Sequence, residues 1–290
     1  MKIATHNGPF HCDDVFAVAV LLKLYPDAEI VRTRDESMMD ECDIVVDVGK
    51  IYDHEKGRYD HHQLGRGGQR SNDVFYSGLG LVWKHYGLEW CAGDERVRDY
   101  IDESFVQYVD AEDNGQDVYT LNDFQISPVT VGDIVQLFKP NYGEVQDFDA
   151  CFMEAVKFAG LVMGMLDSRA RGSIKSEDIV RQKYAESADP RLFIADEFIP
   201  LGKLPEEAPE LLFHIYPDTN NNWAIKVIRK EKGSFEARRD LPASWAGLNG
   251  EELTTVTGVE DSVFCHNALF IAVTKSKAGT LALAKLALED

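Results

Sequence analysis

Histidines and aspartates that could hold a metal ion are concentrated near the start of this chain. Six of its eight histidines precede residue 90, and the segments that carry them are also rich in aspartate. Neutral imidazoles together with carboxylates suit Mn²⁺, Fe²⁺ or Zn²⁺ as ligands. The residues fall in four short segments: THNGPFHCDD (5–14), VVDVG (45–49), YDHEKGRYDHHQ (52–63) and VDAEDNG (109–115).

Taken singly, each of these residues has an ordinary explanation. His6 or His11 alone would more often be a surface or capping histidine than a ligand, and an isolated Asp47 is typical of a turn after a strand. The combination favours another interpretation, because the paired His61 and His62 follow an acidic strand end, and a second His/Asp cluster stands at the first strand. The sequence therefore predicts a catalytic metal centre.

The first half of the chain alternates between predicted strands and helices, which is typical of an α/β fold with a doubly wound, mainly parallel sheet. The stretch DIVVDVG (43–49) is almost continuously apolar, which favours a buried parallel strand. Open sheets of this kind bind ligands at the carboxyl ends of their strands, so we expect the four segments to meet in one crevice. Strands are predicted at 2–6, 28–34 and 43–49, and helices at 13–25, 77–87 and 97–109.

The pattern changes in the second half of the chain. Residues 147–185 look helical, strand-like segments separated by turn residues follow, and a final helix is predicted at 278–290. The strand-like segments are LFIADEFIPLG (192–202), LLFHIYPD (211–218), NWAIKVIRK (222–230) and SVFCHNALFIAV (262–273). We therefore predict a catalytic, metal-binding domain over 1–146, a helical connector over 147–187 and a smaller α+β domain over 188–290.

Charge and hydropathy limit the partners of this protein. With 30 basic and 50 acidic residues, the net charge is −20, and such a surface repels long duplex nucleic acid. A short oligonucleotide or small phosphate ester is compatible, because bound cations would supply local positive charge. Apolar runs such as VFAVAVLL (15–22) are too short to span a bilayer, and the five scattered cysteines fit reduced thiols. We expect a cytoplasmic protein with no membrane partner, and a homo-oligomer is compatible with the sequence.

Six strings along the chain are specific in combination: HNGPFHCDD, VVDVG, YDHHQ, YSGLGLVWKHYG, VDAEDNG and RRDLPASWAGLNGEEL. Together they resemble the DHH phosphoesterase superfamily, which includes RecJ-type nucleases, small oligonucleotide exonucleases and manganese pyrophosphatases. Within it, the chain is similar to the melanocyte-proliferating-gene exonuclease family, which has also carried the label of metal-dependent protein hydrolase. The resemblance extends over nearly the whole length.

The resemblance implies two divalent ions, with Mn²⁺ as the expected metal and Mg²⁺ or another divalent ion as the alternative. His11 stands where the superfamily usually has an aspartate, which changes the charge balance of the site. Asp47 would bridge the two ions. The implied ligands are His6, His11 and Asp47 for one ion, and Asp13, Asp47, His61 and Asp110 for the other.

The fourth motif offers two carboxylates for one position. Asp110 is the first choice and Asp113 the alternative, because both lie at the end of the same predicted helix. In the DHH triplet, Asp60 would orient His61 by accepting its second ring proton, and His62 would face the phosphate.

These residues predict a hydrolase that acts by two-metal activation of water. Two ions about 3.5–4 Å apart polarise a phosphodiester and lower the pKa of a bound water towards about 7. The first-choice function is a 3′-5′ exonuclease or phosphodiesterase on short RNA or DNA. The alternatives are a pyrophosphatase-like enzyme, an amide-hydrolysing metalloenzyme, which no HExxH pattern supports, and a non-catalytic, metal-stabilised interaction module. The predicted catalytic residues are Asp47, Asp60, His61 and His62.

Further residues are predicted to contact the substrate. Arg238 and Arg239 lie beside a strand turn in the predicted second domain, and a guanidinium fork matches phosphate oxygens. His266 lies in the string FCHNALF, and Lys84 and His85 follow the DHH loop on a predicted helix. For the arginine pair and the strand histidine, an exposed pair and a satisfied core residue are equally good explanations.

Overall fold

The first unit of the chain, Met1–Arg171, is built on a five-stranded sheet. The computed structural model describes residues 1–231 and 233–290. In the order β2-β1-β3-β5-β4, the first four strands pair parallel, and β4 pairs antiparallel with β5 at the edge. The predicted mainly parallel sheet is therefore confirmed. Its strands are β1 (Lys2–Thr5), β2 (Glu29–Arg32), β3 (Ile44–Val46), β4 (Tyr52–Asp53) and β5 (Arg58–Tyr59).

The strand order determines where a ligand site can form. From β1 the chain moves outward to β2 on one side, and β3 then lies on the other side of β1. Connections that leave neighbouring strands in opposite directions open a crevice at the carboxyl ends of those strands. The residues that follow β1, β3 and β5 are His6, Asp47 and Asp60.

Six helices of this unit are α1 (Cys12–Leu24), α2 (Glu36–Asp40), α3 (Gly78–Trp90), α4 (Glu95–Ile101), α5 (Gln107–Asp113) and α6 (Val131–Gln136). Helix α1 packs against β3 and α3, and all of its residues from Cys12 to Leu21 are buried. A helix that is apolar on nearly every side belongs in a core. Asp13 and Asp14 are buried there as well, although aspartate is rarely buried without a partner or a function.

The second unit, Gly172–Asp290, contains a five-stranded sheet of a different kind. Its order is β6-β7-β8-β10-β9, in which only the β6–β7 pair is parallel among the described strands. Helix α10 packs against the central strands, so that Leu283 joins Phe213, Ile215 and Ile225 in a core. The elements are β6 (Leu192–Ile194), α8 (Leu204–Glu207), β7 (Phe213–Pro217), β8 (Trp223–Val227), α9 (Gly250–Thr257), β9 (Ser262–Cys265), β10 (Ile271–Thr274) and α10 (Lys277–Glu289), and the long helix α7 (Phe148–Ala185) contains the division between the units.

Two mixed α/β sheets in two units, one of them mainly parallel, confirm the predicted fold class. Two predicted elements differ in detail, and the sequence does not predict the short elements α2, β4, β5, α6, α8 and α9. The segment predicted as one strand over 262–273 forms the hairpin of β9 and β10, because a tight turn closes between them with Leu269 in the left-handed region (φ +57°). The helix predicted over 97–109 changes to a π-helical turn at Asp102–Val106 before it continues as α5.

The predicted division at 146 and 187 stays a prediction. Across the described residues, no helix combines the length and the apolar character that a membrane span requires.

Candidate metal centre

The ends of three parallel strands bring the predicted ligands together. His6 follows β1, Asp47 follows β3, and Asp60, His61 and His62 follow β5. Asp47 adopts the left-handed backbone region (φ +56°), and its side chain is 1% exposed. Non-glycine residues in this region are uncommon and cluster at functional sites.

Asp47 lies between the two halves of the cluster. Its Oδ2 is 3.4 Å from His6 Nε2, while its Oδ1 is 3.2 Å from His61 Nε2 and 3.5 Å from His62 Nδ1. A carboxylate with one oxygen towards each side has the arrangement that a bridging ligand requires. The bridging role itself stays a prediction.

Helix α1 contributes two carboxylates from its first turn. Asp13 Oδ2 lies 4.0 Å from His61 Nε2. Asp14 Oδ1 accepts a hydrogen bond of 2.8 Å from the His11 backbone N–H, and its Oδ2 lies 3.3 Å from His6 Nε2. The sequence interpretation did not include Asp14, because its position in a helix first turn indicates a cap and nothing local reveals its approach to His6.

The donor set fits divalent cations. Among the described residues, Asp13 Oδ1, Asp47 Oδ1 and His61 Nε2 are buried atoms without a hydrogen-bond partner. Buried polar atoms rarely remain unsatisfied, and a cation would coordinate them. Three groups have ligand atoms within 4.8 Å of one another, namely His6/His11/Asp47, Asp47/His61/His62 and His11/Asp13/Asp113.

The pKa values of the carboxylates show how unfavourable their proximity is without a cation. Burial, followed by repulsion from Asp47, raises the pKa of Asp13 to about 7. Burial and the charges of Asp13 and Asp47 raise the pKa of Asp113 to about 10. Burial alone would also raise the pKa of Asp47, but the neighbouring imidazoles of His6 and His61 hold it below its usual value. A bound cation would neutralise this concentration of charge.

Asp60 orients His62 and not His61. Its Oδ1 lies 2.8 Å from His62 Nδ1, and its Oδ2 accepts the Lys50 backbone N–H at 2.5 Å. The bond to Asp60 is the main reason why the pKa of His62 rises to about 9. The expected orientation of His61 by Asp60 is therefore corrected, because the turn after β5 directs the carboxylate towards the second histidine.

For the fourth motif, the structure favours Asp113 over Asp110. Asp113 Oδ2 lies 3.2 Å from His61 Nε2. Asp110 is buried, pairs with Arg70 and accepts a hydrogen bond from the Ser77 hydroxyl. The two residues lie three apart on the helix and differ in direction by about 60°, and it is the Asp113 carboxylate that reaches the cluster. Ligation by Asp113 stays a prediction.

A cavity of about 620 Å³ opens at the cluster. Among the described residues that line this cavity, Arg66 is the one with a lysine or arginine side chain. Its guanidinium stacks 4.4 Å from the ring centre of Phe75 and donates to Asn114 Oδ1 at 2.6 Å. Sequence reasoning missed Arg66, whose only local signal is a glycine-rich loop. The cluster contributes His11, His61, His62 and Asp113 to the lining.

Arg32 was also missed, although it holds the loop that carries His6. Its Nη2 donates to the carbonyl oxygens of His6 and Gly8, both at 2.8 Å, and its side chain is 3% exposed. The guanidinium also stacks 4.4 Å from the ring centre of Phe152. These contacts join residues that are far apart in the chain, so no local sequence pattern predicts them.

Two predicted substrate residues of the first unit lie away from this cavity lining. Lys84 lines a different cavity of about 230 Å³, together with Tyr76. His85 Nε2 lies 2.8 Å from Tyr52 Oη, and its ring stacks 3.7 Å from that of His54. Burial, and then the neighbouring His54, lower the pKa of His85 to about 4, so it is neutral at physiological pH.

Three predicted substrate residues belong to the second unit. Arg238 donates to the carbonyl oxygens of Ala208 and Leu211 at 2.7 and 3.0 Å, which gives it a structural role there. Arg239 donates to a carbonyl at the chain end, and the His266 ring packs 4.4 Å from that of Phe270. Their contact with substrate stays a prediction.

The fold and the cluster together define an α/β protein with a buried His/Asp site suited to divalent cations. Residues 2–288 match the MYG1 exonuclease family, described as "Uncharacterised protein family (UPF0160)", and the chain belongs to this family. The MYG1 exonuclease of Homo sapiens is 32% identical over 325 residues, which cover 99% of this chain and 85% of that protein. A MYG1 protein of Caenorhabditis elegans is 33% identical over 324 residues, covering 99% and 95%.

A solved structure of RecJ from Thermus thermophilus in complex with Mn²⁺ also matches. It covers 100% of this chain, whereas the chain spans 52% of RecJ, with 13% sequence identity and a TM-score of 0.30.

Proposed function

We propose that this protein is a metal-dependent phosphodiesterase that removes nucleotides from the 3′ end of short RNA or DNA. The observation that carries the proposal is the Asp47 carboxylate, whose oxygens face His6 on one side and His61 on the other. The name exonuclease among full-length relatives supports this reaction over a pyrophosphatase-like one. Mn²⁺ is the proposed metal and Mg²⁺ the alternative, because carboxylates suit both ions and Mn²⁺ also accepts imidazole ligands.

The proposed ligands divide into two sets that share Asp47. When bound, such ions polarise a phosphodiester and lower the pKa of a bound water. His62 is protonated near neutral pH and would donate a hydrogen bond to a phosphate oxygen, while Asp60 keeps its ring in place. The sets are His6, His11 and Asp47, and Asp13, Asp47, His61 and Asp113.

Arg66 is the proposed phosphate ligand of the cavity. A guanidinium has five N–H donors, of which Asn114 takes one. Stacking on Phe75 restricts the side chain, so less conformational entropy is lost when a phosphate binds. Because Glu112, Asp113 and Asp133 also line the cavity, an anionic substrate needs this cation in addition to the metal ions.

The net charge of −20 supports short substrates over long duplexes. A cytoplasmic location without a membrane partner is part of the same proposal, and a homo-oligomer remains compatible with it.

The test offers a short 3′-tailed oligonucleotide, pyrophosphate and a peptide in parallel to purified protein, with Mn²⁺ or with EDTA. We expect stepwise shortening of the oligonucleotide from its 3′ end with Mn²⁺ and none in EDTA. Asp47→Ala should abolish this activity, whereas Asp43→Ala, an exposed carboxylate next to β3, should retain it. If only pyrophosphate were hydrolysed, a pyrophosphatase-like function would replace the proposed one. If none of the three substrates were hydrolysed, a metal-stabilised interaction module would be favoured.

A further inference from the structure

We propose that Asp110 is a positioning residue that holds the N-terminus of α3, so that the backbone N–H of Gly78 fixes the carboxylate of Asp13. The inference rests on the proposed function, because it treats Asp13 as a metal ligand. It gives Asp110 a role in the site without contact with an ion.

Asp110 caps α3 from a different helix. Its Oδ1 accepts the Ser77 hydroxyl at 2.6 Å, the Ser77 backbone N–H at 3.1 Å and the Gly80 backbone N–H at 2.9 Å. The first N–H groups of a helix have no partner within the helix, and a negative charge at this end is favourable. Ser77 is the N-cap residue of α3 but its side chain does not cap that helix itself. Asp110 therefore supplies the cap that the side chain of Ser77 does not provide.

Arg70 neutralises the buried carboxylate of Asp110. Its Nη1 pairs with Asp110 Oδ2, its Nη2 lies 2.6 Å from Asp102 Oδ1, and its side chain is 8% exposed. The guanidinium also stacks 4.4 Å from the ring centre of Tyr76, the residue before Ser77. A buried carboxylate is tolerated when it is paired and hydrogen-bonded, as Asp110 is here.

The capped helix end reaches the candidate metal centre through Gly78. Its backbone N–H donates to Asp13 Oδ2 at 3.0 Å. The other oxygen of Asp13, Oδ1, is buried and has no hydrogen-bond partner among the described residues. The hydrogen bond from the Gly78 backbone thus restrains one oxygen of Asp13 and leaves the other available to coordinate a metal ion.

Two glycines allow the carboxylates to approach α3 this closely. A Cβ atom at Gly78 would lie 3.1 Å from both Asp13 Oδ2 and Asp47 Cβ, and one at Gly80 would collide with the carboxylate of Asp110. Glycine is unfavourable in a helix by about 1 kcal/mol relative to alanine, so its use twice in the first turn of α3 reflects these contacts.

Gly80→Ala tests the inference while the charged side chains of Asp110 and Arg70 are both kept. The added methyl group must displace Asp110 from the helix end, so we expect Mn²⁺ to bind at least about tenfold more weakly, by calorimetric titration with Mn²⁺ alone. The matched control is Gly160→Ala in α7, where an added Cβ meets no atom within 4 Å. It should bind Mn²⁺ like the wild type.

The pair Asp110→Asn and Asp110→Ala separates positioning from ligation. Asparagine keeps an oxygen that accepts from Ser77 and Gly80, but its NH2 group replaces the oxygen that pairs with Arg70, which retains Asp102. Asp110→Asn should therefore recover part of the Mn²⁺ affinity that Asp110→Ala loses. A ligand acting through its charge would lose affinity in both variants alike.

Exchange of the Gly78 amide hydrogen, measured by NMR in the metal-free protein, is a readout independent of metal binding. We expect faster exchange in Gly80→Ala and Asp110→Ala than in the wild type and Gly160→Ala. If the wild type bound no Mn²⁺, the proposed metal centre would fail, while this exchange would still decide the role of Asp110. Unchanged exchange and Mn²⁺ affinity in a folded Gly80→Ala variant, or equal losses in the two Asp110 variants, would overturn the inference.

Discussion

Replacing Asp113 by asparagine is expected to stabilise the metal-free protein and to weaken its binding of Mn²⁺. The carboxylate lies 3.2 Å from His61 Nε2. Burial and the charges of Asp13 and Asp47 raise its pKa to about 10. Asparagine has nearly the same shape and no charge, so the change removes the repulsion together with one proposed ligand. Opposite effects on stability and on metal affinity are typical of residues kept for function.

The size of the stabilisation follows from the proton that the folded protein must hold. At about pH 8, folded Asp113 retains a proton that the unfolded chain, with a pKa of 3.8, has released. At about 1.4 kcal/mol for each of roughly 4 pH units, the upper limit is about 6 kcal/mol. Water in the open cavity screens the repulsion, so we expect about 2 kcal/mol, or a rise in apparent Tm of about 4–8 °C.

The sign of the pH dependence is equally specific. Because folding raises the pKa of Asp113, the stability that it contributes is present below the unfolded value of 3.8 and is lost as the pH rises towards about 10. In EDTA, the stability advantage of Asp113→Asn over the wild type should therefore be negligible near about pH 4 and should grow through about pH 8.

Thermal unfolding in EDTA across this pH range measures the stability effect, and calorimetric titration with Mn²⁺ measures the loss of affinity, which we expect to be at least about tenfold. Asp27→Asn, at an exposed carboxylate, is the control and should change neither quantity. A variant that is less stable than the wild type in EDTA at about pH 8 would refute the repulsion between the carboxylates. Unchanged Mn²⁺ affinity would refute ligation by Asp113.

Three other substitutions test separate parts of the site. Asp47→Ala should reduce Mn²⁺ affinity by about a hundredfold or more and abolish Mn²⁺-dependent hydrolysis, while the variant still unfolds cooperatively. Full turnover in this variant would refute the central role of Asp47. Arg32→Lys should lower the free energy of unfolding by about 2–3 kcal/mol in chemical denaturation, because two carbonyls of the loop after β1 lose their donors. Arg66→Ala should raise KM for an oligonucleotide about tenfold with kcat nearly unchanged, and a normal KM would exclude phosphate binding. Its control is Arg229→Ala, another arginine stacked on a phenylalanine.

The candidate site shows why some ligand positions could be predicted and others could not. His6 and Asp47 follow strands that the sequence predicts, and parallel strands end at one edge of a sheet, so the convergence of these two residues follows from the strand pattern. His61 follows β5, a two-residue strand that the sequence does not predict. Asp110 and Asp113 instead share one short helix, where direction depends on how the helix is rotated against its neighbours. Rotation is set by packing, which the local sequence does not encode.

By itself, the sequence determined the alternation of strands and helices in the first half of the chain, its mainly parallel sheet and the four segments that supply imidazoles and carboxylates, because these depend on local periodicity and residue type. Only the tertiary structure decided that Asp60 bonds His62, that Asp110 caps α3, and that Arg66 lines the cavity. Each of these contacts depends on the direction of a side chain, which is set by a turn or by packing between elements. A displacement of a few ångströms decides whether such a side chain can bind a metal ion or only holds its neighbours in place.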